Sequence, residues 1–146
     1  MGRLIRLGGV TVAFFAGILV GTTVPSARAS SPDVQPTQVF ELRTYTAADG
    51  KHEALLSRFR DHTLRIFEKH GMTNVGYWTP QDAPGSDNTL VYLLAHPSRA
   101  AADENWQAFI ADPEWQGVFE ASRSDGPLIE GLQRTFLDPT DFSPMR

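Results

Sequence analysis

The sequence predicts an α+β domain of the ferredoxin-like type, with the order βαββαβ and both helices on one face of a four-stranded antiparallel sheet. Three observations support this prediction. Two long segments show helical spacing of apolar residues, four short segments are rich in β-branched and aromatic residues, and turn-forming residues separate them.

Residues 1–29 are set apart before the fold is considered. Two arginines give a positive start, an apolar run follows at residues 10–24, and Ala27 and Ala29 form an A-x-A cleavage site. This order is typical of a secretory signal peptide cleaved after Ala29. An uncleaved anchor helix is the alternative, but the run is short for a bilayer span of about 20 residues. We expect a secreted or periplasmic protein with no stable membrane span after cleavage.

The remaining 117 residues suit one domain, with a flexible lead-in at residues 30–37 and a folded domain at residues 38–146. Without the leader, 10 Lys and Arg face 17 Asp and Glu, a formal charge of −7. This balance disfavours nucleic acid and anionic membrane surfaces as partners. Because the chain has no cysteine, its stability must come from burial and subunit pairing rather than from disulfides.

The first predicted strand covers residues 38–46, where "QVFELRTYT" alternates with period two. The segment "AADGK" ends it, and Asp49 is a candidate N-cap for the next helix. That helix is predicted over residues 51–70, because apolar residues recur at spacings of three, four and seven. Gly71 follows at the position of a left-handed C-terminal cap.

The second and third strands are predicted over residues 72–80 and 89–96. Pro80 ends the second strand, and "QDAPGSDN" is a loop by composition. The third strand, "TLVYLLAH", is nearly continuous in hydrophobicity, so we expect it to be central.

A second helical region follows the third strand. Ser98 is the predicted N-cap of its first helix, and Asp112 with Pro113 restarts the helix as N-cap and first helical residue. The last strand is predicted over residues 128–137, and a proline-rich tail completes the chain.

The ferredoxin-like arrangement leaves one sheet face without helices. We expect the smaller residues of the third strand, Val91 and Ala95, to pack under the helices. On the first strand, Phe40 and Leu42 would do the same. The open face would then carry Glu41, Arg43, Tyr45, Leu90, Tyr92, Leu94 and His96.

Such a face is too apolar for bulk water and too polar for a dry core. We interpret it as half of an enclosed cavity of ligand size. An apolar open face also requires a partner, because contiguous bare apolar patches are rare on soluble monomers.

Four segments resemble the NIPSNAP family: "FELRTYTAADGKHEALLSRF", "EKHGMTNVGYWT", "ADPEWQGVFEA" and "LDPTDFSP". The similarity spans roughly residues 39–144. It implies a homodimeric α+β barrel in which two sheets pair through their open faces. The related barrel superfamily includes cofactor-independent monooxygenases, haem enzymes and plain small-molecule binders, so the fold alone does not settle the function.

Six residues are candidate ligand contacts: Arg43, Tyr45, His62, Trp78, Tyr92 and His96. Arg43 could bind an anionic or carbonyl group, or it could pair with Glu41 across the dimer. The aromatic residues could line a pocket or pack in an interface. His62 lies mid-helix near the apolar stripe, either as a ligand contact or as a satisfied boundary histidine.

We predict no metal and no cofactor, and the catalytic residues stay unknown. The spacing between His62 and His70, about 12 Å along the helix axis, is too long for the i, i+4 pair that a helical zinc site uses. The sequence has no G-x-S-x-G elbow, no cysteine nucleophile and no phosphate-binding glycine loop.

The favoured hypothesis is an exported dimeric barrel that binds a small, partly apolar molecule between each sheet and its helices, or between the two sheets. A cofactor-independent monooxygenase or isomerase is the first alternative, and a non-catalytic dimerisation or assembly module is the second. The enzyme and the binder need a void that reaches Arg43 and His62, whereas the assembly module needs that space filled by side chains.

Overall fold

A computed structural model describes residues 38–146. The strands are β1 (Val39–Ala47), β2 (Thr73–Trp78), β3 (Thr89–His96) and β4 (Ile129–Leu137). The helices are α1 (His52–Arg58), α2 (Leu64–Lys69), α3 (Gly85–Asn88), α4 (Arg99–Ala111) and α5 (Pro113–Ala121), and a π-helical turn (Phe59–Thr63) joins α1 to α2. The predicted signal peptide and lead-in lie outside the described residues.

The four strands form one antiparallel sheet in the order β2-β3-β1-β4. This arrangement confirms the predicted ferredoxin-like fold. Strand β1 is central, and its Arg43 lies opposite Tyr92 of β3 on one side and Arg134 of β4 on the other. The residues that β1 presents to the helices therefore decide the chemistry in the middle of the sheet.

Three of the four predicted helix caps are confirmed. The Ser98 side chain accepts a hydrogen bond from the backbone of Ala101, and Asp112 caps α5 in the same way. Gly71 has a left-handed φ of 74° after α2. The prediction for Asp49 is wrong, because Lys51 precedes α1 and no side chain caps that helix.

A π-helical turn interrupts the predicted long helix. The backbone N–H of Leu64 donates to the carbonyl of Phe59, five residues back. The hydroxyl of Thr63 donates to the carbonyl of Arg58 over 3.1 Å, so a side chain supports the widened turn. Single π turns of this kind often lie at functional sites, and this one directly follows Arg58.

The predicted assignment of the sheet faces is wrong for β1 and β3. Glu41, Arg43 and Tyr45 lie under the helices, and Trp106 of α4 hydrogen bonds to Glu41. On β3 the residues under the helices are Leu90, Tyr92, Leu94 and His96. Because side chains alternate with period two, one wrong choice of face inverts the whole strand.

An aromatic cluster fills most of the space between the sheet and the helices. The ring of Phe67 contacts those of Tyr92, Trp106 and Phe109, at centroid distances of 6.1, 5.3 and 4.8 Å. Aromatic pairs in stacked or edge-on contact add about 0.5–1.5 kcal/mol each beyond their buried area. These contacts hold α2 and α4 against the middle of the sheet.

The open sheet face carries aliphatic residues and threonines rather than a charged row. Leu42 lies beside Leu93 in the register, and Thr44 lies beside Val91. Trp78 is 53% exposed, and its ring lies over Gly76, where a Cβ atom would come within 2.5 Å of it. Among residues 38–146, no helix combines the length and hydrophobicity required to span a membrane.

Candidate functional site

The carboxylate of Glu41 is the centre of a buried polar cluster. It accepts hydrogen bonds from Nε of Arg43 at 2.8 Å, from Nε1 of Trp106 at 2.7 Å and from Nε2 of His96 at 2.9 Å. Glu41 and His96 are almost fully buried. Strand β1 supplies the carboxylate and the cation, β3 the imidazole and α4 the indole, so the cluster fixes all three elements together.

The hydrogen bonds keep Glu41 ionised despite its burial. Burial by itself would raise the pKa of this carboxyl, because the charged form loses its water. The bonds from His96, Trp106 and Arg43 outweigh that effect and lower the pKa of Glu41 to about 2. The folded protein thus keeps a paired carboxylate ionised between the sheet and the helices at neutral pH.

Arg43 is held by its neighbours inside the fold. Besides Glu41, its Nη1 donates to the hydroxyl of Tyr45 over 2.9 Å, and its guanidinium lies 3.7 Å from the ring centre of Trp106. The sequence left two alternatives open for Arg43, and the structure shows an ion pair within one strand. Arg43 thus has a counter-charge on its own strand and lines the cavity wall, and its contact with a ligand stays a prediction.

A cavity of about 540 Å³ lies between the sheet and the helices. We call it the helix-side cavity. Its wall is mainly aromatic, with Phe59, Phe67, Trp106, Phe109, Trp115 and Phe119, and its polar side chains include Arg43, Tyr45, Arg58 and Arg134. A space of this size with apolar walls and a few polar groups is typical of a small-molecule site.

The six predicted contacts are divided among different places. Arg43 and Tyr45 line the helix-side cavity, and whether they bind a ligand stays a prediction. His62 is exposed and lies in an outer groove between α1 and α5, lined also by Asp61 and Ser122. The structure therefore does not place His62 beside Arg43.

The other three predicted contacts lie away from the described cavities. Tyr92 and His96 are in the solid core, with 0% and 1% of their surface exposed. The hydroxyl of Tyr92 and the Nδ1 of His96 have no hydrogen-bond partner within residues 38–146. Trp78 is on the open sheet face. Arg43, Tyr45, Tyr92 and His96 share one sheet face as predicted, but it is the helix side and not the open face, and whether any of the six residues binds a ligand stays a prediction.

Sequence reasoning missed Arg58. The helical pattern of α1 placed it among the polar residues that point away from the apolar stripe, yet it is buried and lines the helix-side cavity. Its Nη1 donates to the hydroxyl of Ser122 over 3.3 Å, and its guanidinium lies 5.4 Å from the ring centre of Trp115. The only sequence signal was the position of Arg58 between apolar neighbours, three residues after Leu55 and just before Phe59.

A second ionic cluster clamps the end of α2 to the start of α5. Asp112 accepts hydrogen bonds from Nζ of Lys69 and Nε2 of His70, each at 2.7 Å, and it also caps the backbone of Glu114. These bonds lower the pKa of Asp112 below its usual range. His70, one of the histidines near the apolar stripe, is thus a satisfied boundary residue. No group of three or more His, Asp or Glu within residues 38–146 is arranged to hold a metal ion.

Comparison with known proteins gives one consistent result. The sequence model of the NIPSNAP family matches residues 40–144. A NIPSNAP family protein of unknown function from Agrobacterium tumefaciens strain C58 is 28% identical, with a TM-score of 0.66 over 77% of this chain and 96% of that chain. A second NIPSNAP family protein from that strain is 27% identical, with a TM-score of 0.65 over 75% and 99%.

An uncharacterised NIPSNAP-like domain protein from Burkholderia xenovorans shares the fold at 22% identity, with a TM-score of 0.65 over 75% of this chain and 91% of that chain. A search of curated proteins found no match. The family and the fold are therefore shown.

Proposed function

The chain belongs to the NIPSNAP family, and from that premise we propose that it binds one small, partly apolar molecule per subunit in the helix-side cavity. The observation that carries this proposal is the cavity of about 540 Å³ between an aromatic wall and the Arg43–Tyr45 pair. This space is a cleft open to solvent at Ile110 and Leu132, and a concave apolar cleft with a few polar groups is the usual form of a small-molecule site, which a pure assembly module does not need.

The geometry favours binding over the monooxygenase or isomerase alternative. In that alternative, His62 or Tyr92 orients the substrate beside Arg43. His62 lines the outer groove instead, and Tyr92 is sealed in the core. The void reaches Arg43 but not His62, a contact that the binder and the enzyme were both expected to need. The proposed binding site therefore leaves out His62, and neither His62 nor Tyr92 is placed to act on a molecule in the cavity.

The proposal includes a homodimer that pairs through the open sheet faces. Leu42, Val91 and Leu93 of the central strands lie on the face that no helix covers. A second copy would bury these residues and Trp78, as the superfamily resemblance implies. In this arrangement each subunit keeps its own helix-side cavity, away from the dimer interface.

Export is the third part of the proposal. It rests on the charge, apolar run and A-x-A site of residues 1–29. Intact mass spectrometry of protein from a secreting host should give a chain that begins at Ser30. A chain that keeps residues 1–29 in the membrane fraction would instead support the anchor alternative.

The binding function is tested by titrating the purified protein with naphthalene-1-methanol, a neutral aromatic probe, by calorimetry. We expect one site per subunit. Leu132→Trp should weaken binding, because Leu132 of β4 is half exposed and lines the helix-side cavity. A larger ring at this position would occupy the space. Native mass spectrometry of the purified protein can then identify a molecule that co-purifies.

The matched control is Gln107→Trp, which adds a similar ring on the exposed surface of α4, away from the cavities described above. This variant should bind the probe like the wild type. Equal binding to wild type and Leu132→Trp, or no binding by the wild type, would contradict the proposed site.

A further inference from the structure

Arg58 is a buried cation without a counter-charge. Only 5% of its surface is exposed, yet it forms no salt bridge with the carboxylates of residues 38–146. Its Nη1 has the weak bond to Ser122, and its Nε has no hydrogen-bond partner in the described part of the chain. Charged side chains are almost never buried without a partner, so this position requires an explanation.

The other buried arginine of the site shows the contrast. Arg43 has Glu41, Tyr45 and the ring of Trp106, so its charge is neutralised inside the fold. Besides its 3.3 Å bond to Ser122, Arg58 has the rings of Trp115 and Phe119, at 5.4 and 5.9 Å. Burial lowers the pKa of Arg58, Tyr45 and Tyr92 partly offset this effect, and the nearby Arg123 adds to it. The fold thus retains an arginine in surroundings that oppose its charge.

The surroundings of Arg58 are cationic in a chain that is acidic overall. Arg58 lines the helix-side cavity together with Arg134, and it lines a smaller cavity of about 280 Å³ together with Arg123. It also borders the outer groove, where Asp61 is exposed and forms no salt bridge with it. Glu120 is the one acidic residue that lines the helix-side cavity, and no salt bridge joins it to these arginines. The unbalanced charge therefore faces the space in which a ligand would bind.

We propose that Arg58 anchors the anionic group of the ligand, and that the ligand is a small amphipathic anion with an aromatic or aliphatic body. This inference rests on the binding function proposed above. The anionic group accepts hydrogen bonds from the guanidinium of Arg58, as carboxylates and related oxyanions do. The body occupies the aromatic part of the cavity, between Trp106, Phe109 and Trp115. Arg134, at the exposed side of the same cavity, adds a second positive charge.

The experiment compares two probes of nearly equal shape by calorimetry on the full purified chain: naphthalene-1-carboxylate, which is anionic, and naphthalene-1-methanol, which is neutral. We expect the wild type to prefer the carboxylate. Arg58→Met should weaken carboxylate binding by about tenfold to 100-fold, the range for a hydrogen bond to a charged group. It should change the affinity for the neutral probe by less than about twofold, because Met preserves the apolar stem of the side chain.

Two further variants sharpen the test. Arg58→Lys keeps the charge and should retain part of the preference. Arg60→Met removes a cation two residues away that is exposed and paired with Glu53, so it should change neither affinity. If both probes bind and Arg58→Met leaves the preference unchanged, the assignment of Arg58 is overturned while the binding function stands. If neither probe binds the wild type, both proposals fall.

Circular dichroism melting curves establish whether each variant is folded. If Arg58→Met does not fold, a crystal structure of the wild type with naphthalene-1-carboxylate decides the matter. A carboxylate in hydrogen-bond contact with Arg58 supports the proposal, and a carboxylate that faces solvent or Arg134 alone overturns it.

Discussion

The indole of Trp106 on α4 donates a 2.7 Å hydrogen bond to the buried carboxylate of Glu41 on β1, across a separation of 65 residues. This bond joins a helix to the central strand at the point where Arg43 and His96 also meet the carboxylate. The carboxylate of Glu41 is thus a negative charge held inside the protein, and it can be removed by mutation or by acid.

Glu41→Gln should lower the free energy of unfolding by about 3 kcal/mol, the usual cost of breaking a buried ion pair. The amide can still accept a bond from Trp106, but Arg43 loses its counter-charge. Urea denaturation at pH 7 measures this change. Glu53→Gln, which removes an exposed carboxylate 3.7 Å from Arg60, is the control and should change stability by less than about 0.5 kcal/mol. Equal effects of the two variants would show that the Glu41 cluster contributes little.

The stability of the wild type should fall as the pH drops from about 4.5 to 2. In the folded protein the pKa of Glu41 is lowered from its ordinary 4.5 to about 2. The ionised carboxylate therefore stabilises the fold fully above pH 4.5, and this stabilisation is lost progressively as the pH falls from 4.5 to 2. The shift corresponds to an amount on the order of 3 kcal/mol. Urea midpoints measured at pH 7, 4 and 2.5 should bring wild type and Glu41→Gln progressively together. A constant gap between them would contradict the pKa assignment.

Arg58→Met should raise the stability of the ligand-free protein by about 1 kcal/mol, because it replaces a buried, unpaired cation with an apolar chain of similar length. Thermal and urea unfolding measure the change. Arg60→Met on the adjacent exposed surface is the control and should stay within about 0.5 kcal/mol of the wild type. A clear loss of stability in Arg58→Met would assign this arginine a structural role.

Leu93→Glu should convert the proposed dimer to monomers at micromolar concentration. In a two-fold interface, this change introduces two carboxylates that lose their water without gaining a partner, and we expect the dissociation constant to rise at least about 100-fold. Sedimentation velocity measures the mass. Ala108→Glu, on the exposed surface of α4, is the control and should remain dimeric. A monomeric wild type would contradict the proposed pairing of the open faces.

The elements of the fold were predictable because their signals are local. Period-two alternation marked β1, Ser98 and Asp112 marked the starts of α4 and α5, and Gly71 marked the end of α2. Each of these signals depends on residues close together in the chain. The family resemblance was equally local, since it rested on contiguous segments.

The orientation of the strands was not predictable in the same way. On β1, hydrophobicity favours burial of Phe40 and Leu42 over burial of Glu41 and Arg43. The charged pair is nevertheless buried, because His96 and Trp106 hydrogen bond to the carboxylate of Glu41. These partners lie 55 and 65 residues away in the sequence. The sequence of β1 by itself does not predict these two partners. Arg58 was missed for a similar reason, since its burial depends on the packing of α5 against α1.

The ionic cluster around Asp112 helps to decide where molecules enter the helix-side cavity. Lys69 and His70 tie the end of α2 to the start of α5, whereas the far end of α5 contacts α1 through the 3.3 Å bond between Arg58 and Ser122 and through the ring of Phe119. These ionic bonds hold the first turn of α5, with Trp115, in place as part of the cavity wall. We expect molecules to enter and leave the helix-side cavity beside β4, where Leu132 and Arg134 are exposed, so Arg134 is the first charge that they meet.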